Sequence, residues 1–113
     1  MLKLESINVG QKTDLQQGKR TVSTGIFKNP VDHAVQIGSQ GITGDAICDK
    51  RHHGGIDQAI YIYRSEDYEW WNQNTGYEFT AGYFGENLTI RGIPGAGLMI
   101  GDQVRFGDIC LQV

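Results

Sequence analysis

The sequence has 113 residues, which is enough for one domain but leaves little room for a second hydrophobic core. Its 10 basic and 13 acidic side chains give a formal net charge of −3, without the basic excess typical of a general nucleic-acid-binding protein. The sequence contains neither an apolar leader nor a run approaching ~20 apolar residues, so we expect a cytoplasmic protein without a membrane helix.

The N-terminal half is predicted to form short strands separated by loops. Glycine accounts for 16 residues of the chain, well above an average usage of about 7%, and shows no repeating period, which favours tight turns between strands. Residues 2–9 partly alternate between apolar and polar side chains and predict a first strand. Residues 11–20 are polar and predict a loop. Residues 31–37 predict a second strand and residues 38–45 a second loop.

The C-terminal half contains the clearest patterns. The run Ala59–Tyr63 is apolar, aromatic and β-branched, as expected for a buried strand. Ser65 is predicted to cap a short helix over Glu66–Asn72, and Leu88–Ile90 is predicted to form a further strand. The last residues alternate on both sides of Gly107-Asp108, which predicts a hairpin. The expected fold is mainly β, with one or two short helices in a single domain over residues 1–113.

The two cysteines, Cys48 and Cys110, are far apart and match no zinc or redox spacing. Free cysteine is among the most buried residue types, so both are predicted to be buried, reduced thiols. The sequence also lacks a Walker motif, a nucleophile elbow and a dinucleotide-binding fingerprint. These patterns predict no metal ligand and none of the common nucleotide or hydrolase sites.

The densest polar cluster is Asp49–Gly55, here called the basic segment. Lys50 and Arg51 supply positive charge, and the glycines allow a backbone to approach a ligand closely, as a phosphate or another compact anion requires. Adjacent side chains of an extended segment point to opposite faces, so the two histidines are not predicted to share a metal. A solvated turn with outward charges is the alternative. The predicted ligand-binding residues are Arg51, His52, His53, Gly54 and Gly55.

Three further polar residues are candidates for the same site. Glu86 could orient a basic group or exchange a proton, and Asn87 could both donate and accept hydrogen bonds. The alternative for these two is a turn in which Asn87 takes a positive φ. Lys28 precedes Asn29-Pro30 and could contact a phosphate, although a lone lysine beside a loop is usually a surface residue.

Several motifs, in order along the chain, resemble those of the MOSC family (the molybdenum cofactor sulfurase C-terminal domain), and most closely its YiiM-like subgroup. The resemblance runs from about Ser6 to Val113. It rests on Ser23–Lys28, on Gly41–Asp45 followed by Asp49–Gly55 and Asp57–Tyr61, on Phe84–Thr89, and on Ile100–Asp102 with Phe106-Gly107 and Leu111–Val113.

The resemblance implies a β-rich, barrel-like fold that binds molybdenum cofactor, a pterin with a phosphate and a dithiolene, and gives no reason to expect pyridoxal phosphate. YiiM-like members reduce N-hydroxylated compounds such as hydroxylated purines, with electrons from a separate flavin reductase. A homodimer is a further expectation. By position, the residues implied to line the cofactor or substrate pocket are Lys28, Arg51, His52, His53, Glu86 and Asn87.

The resemblance also predicts that the chain is the N-terminal portion of such a domain. In the family, the strand matching Leu111–Val113 is followed by a segment with a cysteine that ligates molybdenum. Neither Cys48 nor Cys110 matches that position. Three functions therefore stay open: a reductase in its complete form, a non-catalytic cofactor-binding or sulfur-carrier module, and a structural β-domain without a ligand. The last predicts that Arg51 and Glu86 are exposed and unpaired.

Overall fold

The protein is mainly β-structure, as the sequence predicts. The computed structural model describes residues 2–10, 13–24, 28–45 and 56–113. Within these residues it contains ten strands, the α-helix α1 (Ser65–Thr75) and one 3-10 turn (Ile56–Gln58). The strands are β1 (Lys3–Gly10), β2 (Thr13–Gln17), β3 (Arg20–Thr24), β4 (Lys28–Pro30), β5 (Ile37–Gly38), β6 (Gly41–Ile42), β7 (Ile62–Arg64), β8 (Leu88–Arg91), β9 (Gln103–Phe106) and β10 (Ile109–Gln112).

The central sheet has the strand order β4-β1-β8-β7. Strand β8 lies inside this sheet, antiparallel to β1 and parallel to β7. Its residues Leu88, Thr89 and Ile90 are all buried, and Ile90 is fully inaccessible to solvent. A strand that is covered on both faces needs a continuous rather than an alternating buried run, which is what this short segment provides. The core therefore forms around β8, where Ile42 and Ile93 pack against it.

The remaining strands form three two-stranded hairpins, β2–β3, β5–β6 and β9–β10. The β9–β10 hairpin has the predicted turn at Gly107-Asp108, and Val104 is its buried residue. The expectation of a mainly β, barrel-like fold is confirmed, although the four sheets do not close into one barrel within the described residues.

The predicted loop over residues 11–20 is wrong, because most of it belongs to the β2–β3 hairpin. The two strands pair in register from Thr13 opposite Thr24 to Gln17 opposite Arg20. Gly18 has a φ of 61° and supplies the tight turn. Strand β2 has no apolar alternation in its sequence, and it is defined by its backbone pairing with β3.

The predicted strand over residues 31–37 is also wrong. Residues 31–36 form no strand, and the chain pairs with β1 earlier, through β4, where Pro30 lies opposite Asn8. β4 is an edge strand of the described sheet, a position where the missing N–H of a proline costs little. The predicted loop over residues 38–45 contains the short β5–β6 hairpin, in which Ile37 pairs with Ile42.

Helix α1 begins at Ser65 and extends three residues beyond the predicted end. Ser65 is therefore the first helical residue and not the cap. The cap position belongs to Arg64, which has an extended backbone and makes no capping hydrogen bond through its side chain. Gly76 ends the helix in the left-handed conformation, with φ of 76°, which glycine adopts most easily. No helix in the described part of the chain is both long and apolar enough to cross a membrane.

Glu66 in the first turn of α1 should make stability depend on pH. The Gly92 amide donates to its carboxylate at 3.0 Å, and this bond, followed by one from the backbone amide of Glu66 itself, holds the pKa of Glu66 below the ordinary value. A carboxylate with a lowered folded pKa contributes stability above its unfolded pKa and loses it as the pH falls through the folded pKa. We expect Glu66→Gln to be less stable than the wild type at pH 7. The difference should shrink below about pH 5 in urea denaturation at a series of pH values, and a pH-independent difference would contradict this account.

Candidate functional site

The centre of the candidate site is the carboxylate of Asp45, which lies just after β6. Its oxygens accept four hydrogen bonds: one from the Gly10 amide at 2.8 Å, two from the Lys28 ammonium at 2.7 and 2.9 Å, and one from the Asn87 amide nitrogen at 2.8 Å. The three donors come from β1, β4 and the residue before β8. One side chain therefore ties together two strands of the central sheet and the segment that leads into a third.

Lys28 and Asp45 form a buried ion pair. Their side chains are only 8% and 3% exposed. Gly82 has a φ of 89° and packs so closely against the Lys28 carbonyl that a Cβ would approach its oxygen to 2.5 Å. Lys28 is thus not the surface lysine that a position beside a loop usually indicates, and its ammonium occupies a defined place.

Asn87 is fixed by its backbone and by both ends of its side chain. Its side-chain oxygen accepts from the Tyr61 amide at 3.0 Å, while its backbone amide donates to the Tyr61 carbonyl at 2.8 Å. Its own carbonyl accepts from the Asn8 amide at 2.7 Å. The positive-φ alternative for Asn87 is wrong: no described residue other than glycine has a positive φ, and Gly85 takes that conformation instead. The strand predicted over Ala59–Tyr63 begins only at Ile62, as β7. Asn87 already bonds to both the backbone amide and the backbone carbonyl of Tyr61.

Glu86 points away from Asp45 into a second buried network. It has no solvent exposure, and its two oxygens accept from the Tyr68 hydroxyl at 2.8 Å and the Thr89 hydroxyl at 2.9 Å. Asn8 donates to Thr89 at 3.1 Å and accepts from Ser6 at 2.7 Å. The expectation of an exposed, unpaired Glu86, which a structural domain without a ligand predicts, is therefore wrong.

Two tyrosines near Glu86 are held in the neutral form. Burial, and then the hydrogen bond donated to Glu86, raises the pKa of Tyr68 far above its ordinary value. Burial followed by the charge of Glu86 also raises the pKa of Tyr61. Tyr68 stacks on Phe84 with ring centroids 5.3 Å apart, which keeps the segment between α1 and β8 against the helix.

The predicted site residues of the basic segment lie outside the described residues. This applies to Arg51, His52, His53, Gly54 and Gly55, and to Cys48, so the predicted pocket shared with Glu86 stays a prediction. The described chain resumes at Ile56, and Gly41 packs directly against the Ala59 carbonyl. Of the candidates that are described, the structure brings Lys28 and Asn87 together on Asp45, and it directs Glu86 toward Tyr68 and Thr89.

Sequence reasoning overlooked Asp45 as a site residue. Its only signal was its place in the Gly44-Asp45 motif, since an aspartate after a glycine more often marks a turn. Cys110 was predicted to be buried but is exposed. It occupies the outward face of β10, where the exposed and partly buried residues alternate.

Comparison with known proteins identifies the family. Residues 49–113, which include the basic segment and the strands from β7 onward, match the MOSC domain model. The chain belongs to the MOSC domain family. The sequence is 33% identical over 108 residues to the uncharacterized protein YflK of Bacillus subtilis, which covers 96% of this chain and 49% of the relative. It is 34% identical over 91 residues to the protein YiiM of Escherichia coli, covering 78% of this chain and 41% of that protein.

The fold agrees with this assignment. The crystal structure of YiiM from Geobacillus stearothermophilus superimposes with a TM-score of 0.72 and 36% identity, over 100% of this MOSC chain and 50% of the other. The chain thus spans about half the length of the relatives it matches. The YiiM-like resemblance predicted from the motifs is confirmed.

Proposed function

We propose that this MOSC protein binds molybdenum cofactor through Lys28, Asn87 and the basic segment. The observation that carries the proposal is the buried Asp45 cluster, which fixes a lysine ammonium and an amide. Asp45 itself lies four residues before the basic segment in the chain. Association of the MOSC family with this cofactor in general supports the choice of ligand. The basic, glycine-rich segment begins four residues after Asp45, and a purely structural role would not need it.

The residue types at the candidate site suit a phosphate-bearing pterin. Lys28 carries positive charge, Asn87 offers an amide, and the sequence of the basic segment adds Arg51, His52 and His53 beside two glycines. Charged and planar donors suit phosphate oxygens, and glycine permits close backbone approach. Glu86 would support the site from inside, because it fixes the backbone next to Asn87 through Tyr68 and Thr89.

When bound, the cofactor would supply two-electron redox chemistry, which the protein's own side chains cannot provide. The chain's residues would bind and orient it: the cations hold the phosphate end, and Asn87 fixes one wall of the site. We further propose that the complete protein reduces N-hydroxylated compounds, a reaction that consumes two electrons and two protons and releases water. A flavin reductase is the proposed electron donor. These activities are proposed for the whole protein, because the chain spans about half the length of the relatives it matches.

Arg51→Ala is expected to reduce cofactor binding about tenfold or more, since a charged hydrogen bond contributes about 1.5–3 kcal/mol. Two measurements test this expectation. One is titration of the purified protein with molybdopterin released from a molybdoenzyme, and the other is the molybdenum and oxidised-pterin content of the protein after expression. Lys19→Ala is the matched control, because Lys19 is an exposed cation in the β2–β3 turn. Cofactor affinity that is equal in the wild type and Arg51→Ala would remove Arg51 from the site. Absence of binding by the wild type would overturn the proposal.

Turnover separates the reductase from the carrier. Loss of an N-hydroxylated purine in the presence of cofactor and a chemical reductant would favour the reductase. Binding without turnover would favour a non-catalytic module.

A further inference from the structure

We infer that Asp45 is the positioning residue of the site: its carboxylate places the Lys28 ammonium and the Asn87 amide for the ligand, without touching the ligand itself. This inference rests on the proposed function. It goes beyond the predicted site residues, none of which is Asp45.

The number and direction of its hydrogen bonds single out a carboxylate at this position. All four bonds to Asp45 are donated to it, by Gly10, Lys28 and Asn87. Both oxygens are used, since Oδ1 accepts from Gly10 and Lys28, and Oδ2 accepts from Lys28 and Asn87. An asparagine would place its NH2 group against at least one of these donors, so only an aspartate satisfies all three partners.

The cluster connects distant parts of the chain through a nearly buried group. Asp45 is 17 residues from Lys28 and 42 residues from Asn87. Its side chain is 3% exposed, which prevents water from replacing a lost partner easily. Loss of the carboxylate therefore removes a shared acceptor from both donors at once, whereas loss of either donor leaves the other in place.

Asn87 cannot hold its orientation through the remaining contact alone. Its oxygen accepts from the Tyr61 amide, but its nitrogen has Asp45 as its hydrogen-bond acceptor in the described structure. A carboxamide that is held at both ends presents a fixed face to a ligand, while one held at a single end can rotate. Lys28 loses two of its hydrogen bonds when the ion pair is removed.

The test compares Asp45→Asn with Val104→Ala, a core substitution in the β9–β10 hairpin that lowers stability without touching the cluster. Nuclear magnetic resonance of the ligand-free protein should show a slowly exchanging Lys28 ammonium and a shifted Asn87 carboxamide. Both signals should be lost in Asp45→Asn and kept in Val104→Ala.

Molybdopterin affinity, per folded protein, should fall about tenfold or more in Asp45→Asn only. Asp45→Glu keeps the charge but displaces it by one methylene, and it should show the same losses. It takes the place of Asp45→Asn in the test if Asp45→Asn does not fold.

The outcomes are distinguishable. Wild-type affinity in Asp45→Asn or Asp45→Glu would overturn the positioning role while leaving cofactor binding intact. Unchanged Lys28 and Asn87 signals would overturn it as well. If the wild type binds no molybdopterin but the signals change as expected, the proposed function fails, and Asp45 is only a structural anchor.

Discussion

Replacement of Lys28 by methionine is expected to lower the free energy of unfolding by about 3 kcal/mol or more, since removal of one partner leaves a charge buried without compensation. The Asp45 side chain, which is 3% exposed in the wild type, would lose its charged partner and keep its bonds from Gly10 and Asn87. Methionine preserves most of the length of the lysine stem, so the loss reports on the contacts of the ammonium group, the ion pair included, rather than on packing. Urea denaturation at pH 7 measures the effect.

Two variants serve as controls for this prediction. Lys19→Met removes an exposed cation and should change stability by less than about 0.5 kcal/mol, as is usual for surface positions. Lys28→Arg retains the charge and should recover part of the loss. A destabilisation by Lys28→Met no larger than that of Lys19→Met would mean that the Lys28–Asp45 pair is not a stabilising contact of the folded protein.

Local patterns predicted the elements whose side chains alone determine their structure. The β9–β10 hairpin follows from alternation on both sides of Gly107-Asp108, and β8 follows from its short buried run. The end of α1 follows from Gly76, which takes the left-handed conformation more easily than any other residue. In each case the signal lies within a few neighbouring residues.

Elements that depend on distant partners were not predictable in this way. Strand β2 is polar and is defined by its pairing with β3, and β4 is defined by its pairing with β1. Asp45 has the same limitation, because its role arises only when Lys28 and Asn87 are brought to it from other parts of the chain. Residue type and spacing identified Lys28 and Asn87 as candidates but could not identify the acceptor that joins them.

Glu86→Ala is expected to lower the free energy of unfolding by about 3 kcal/mol, through the loss of two hydrogen bonds and the cavity that remains. The bond directions in this network leave little freedom. The Tyr68 hydroxyl accepts from the Phe84 amide at 3.2 Å, so its hydrogen is directed at Glu86. The Thr89 hydroxyl accepts from Asn8 and likewise donates to Glu86. Relief from burying the carboxylate offsets part of the loss, which is why the expected value is not larger.

Glu86→Gln tests the same network without a cavity. Its NH2 group must face either the Tyr68 or the Thr89 hydroxyl, and each of these oxygens already accepts a hydrogen bond. We therefore expect a loss of about 1–2 kcal/mol. A double-mutant cycle with Tyr68→Phe, measured by urea denaturation, should give a coupling energy of about 1 kcal/mol, as expected for residues in direct contact. Additive effects of the two substitutions would show that Tyr68 and Glu86 do not stabilise each other, and that the burial of Glu86 has another cause.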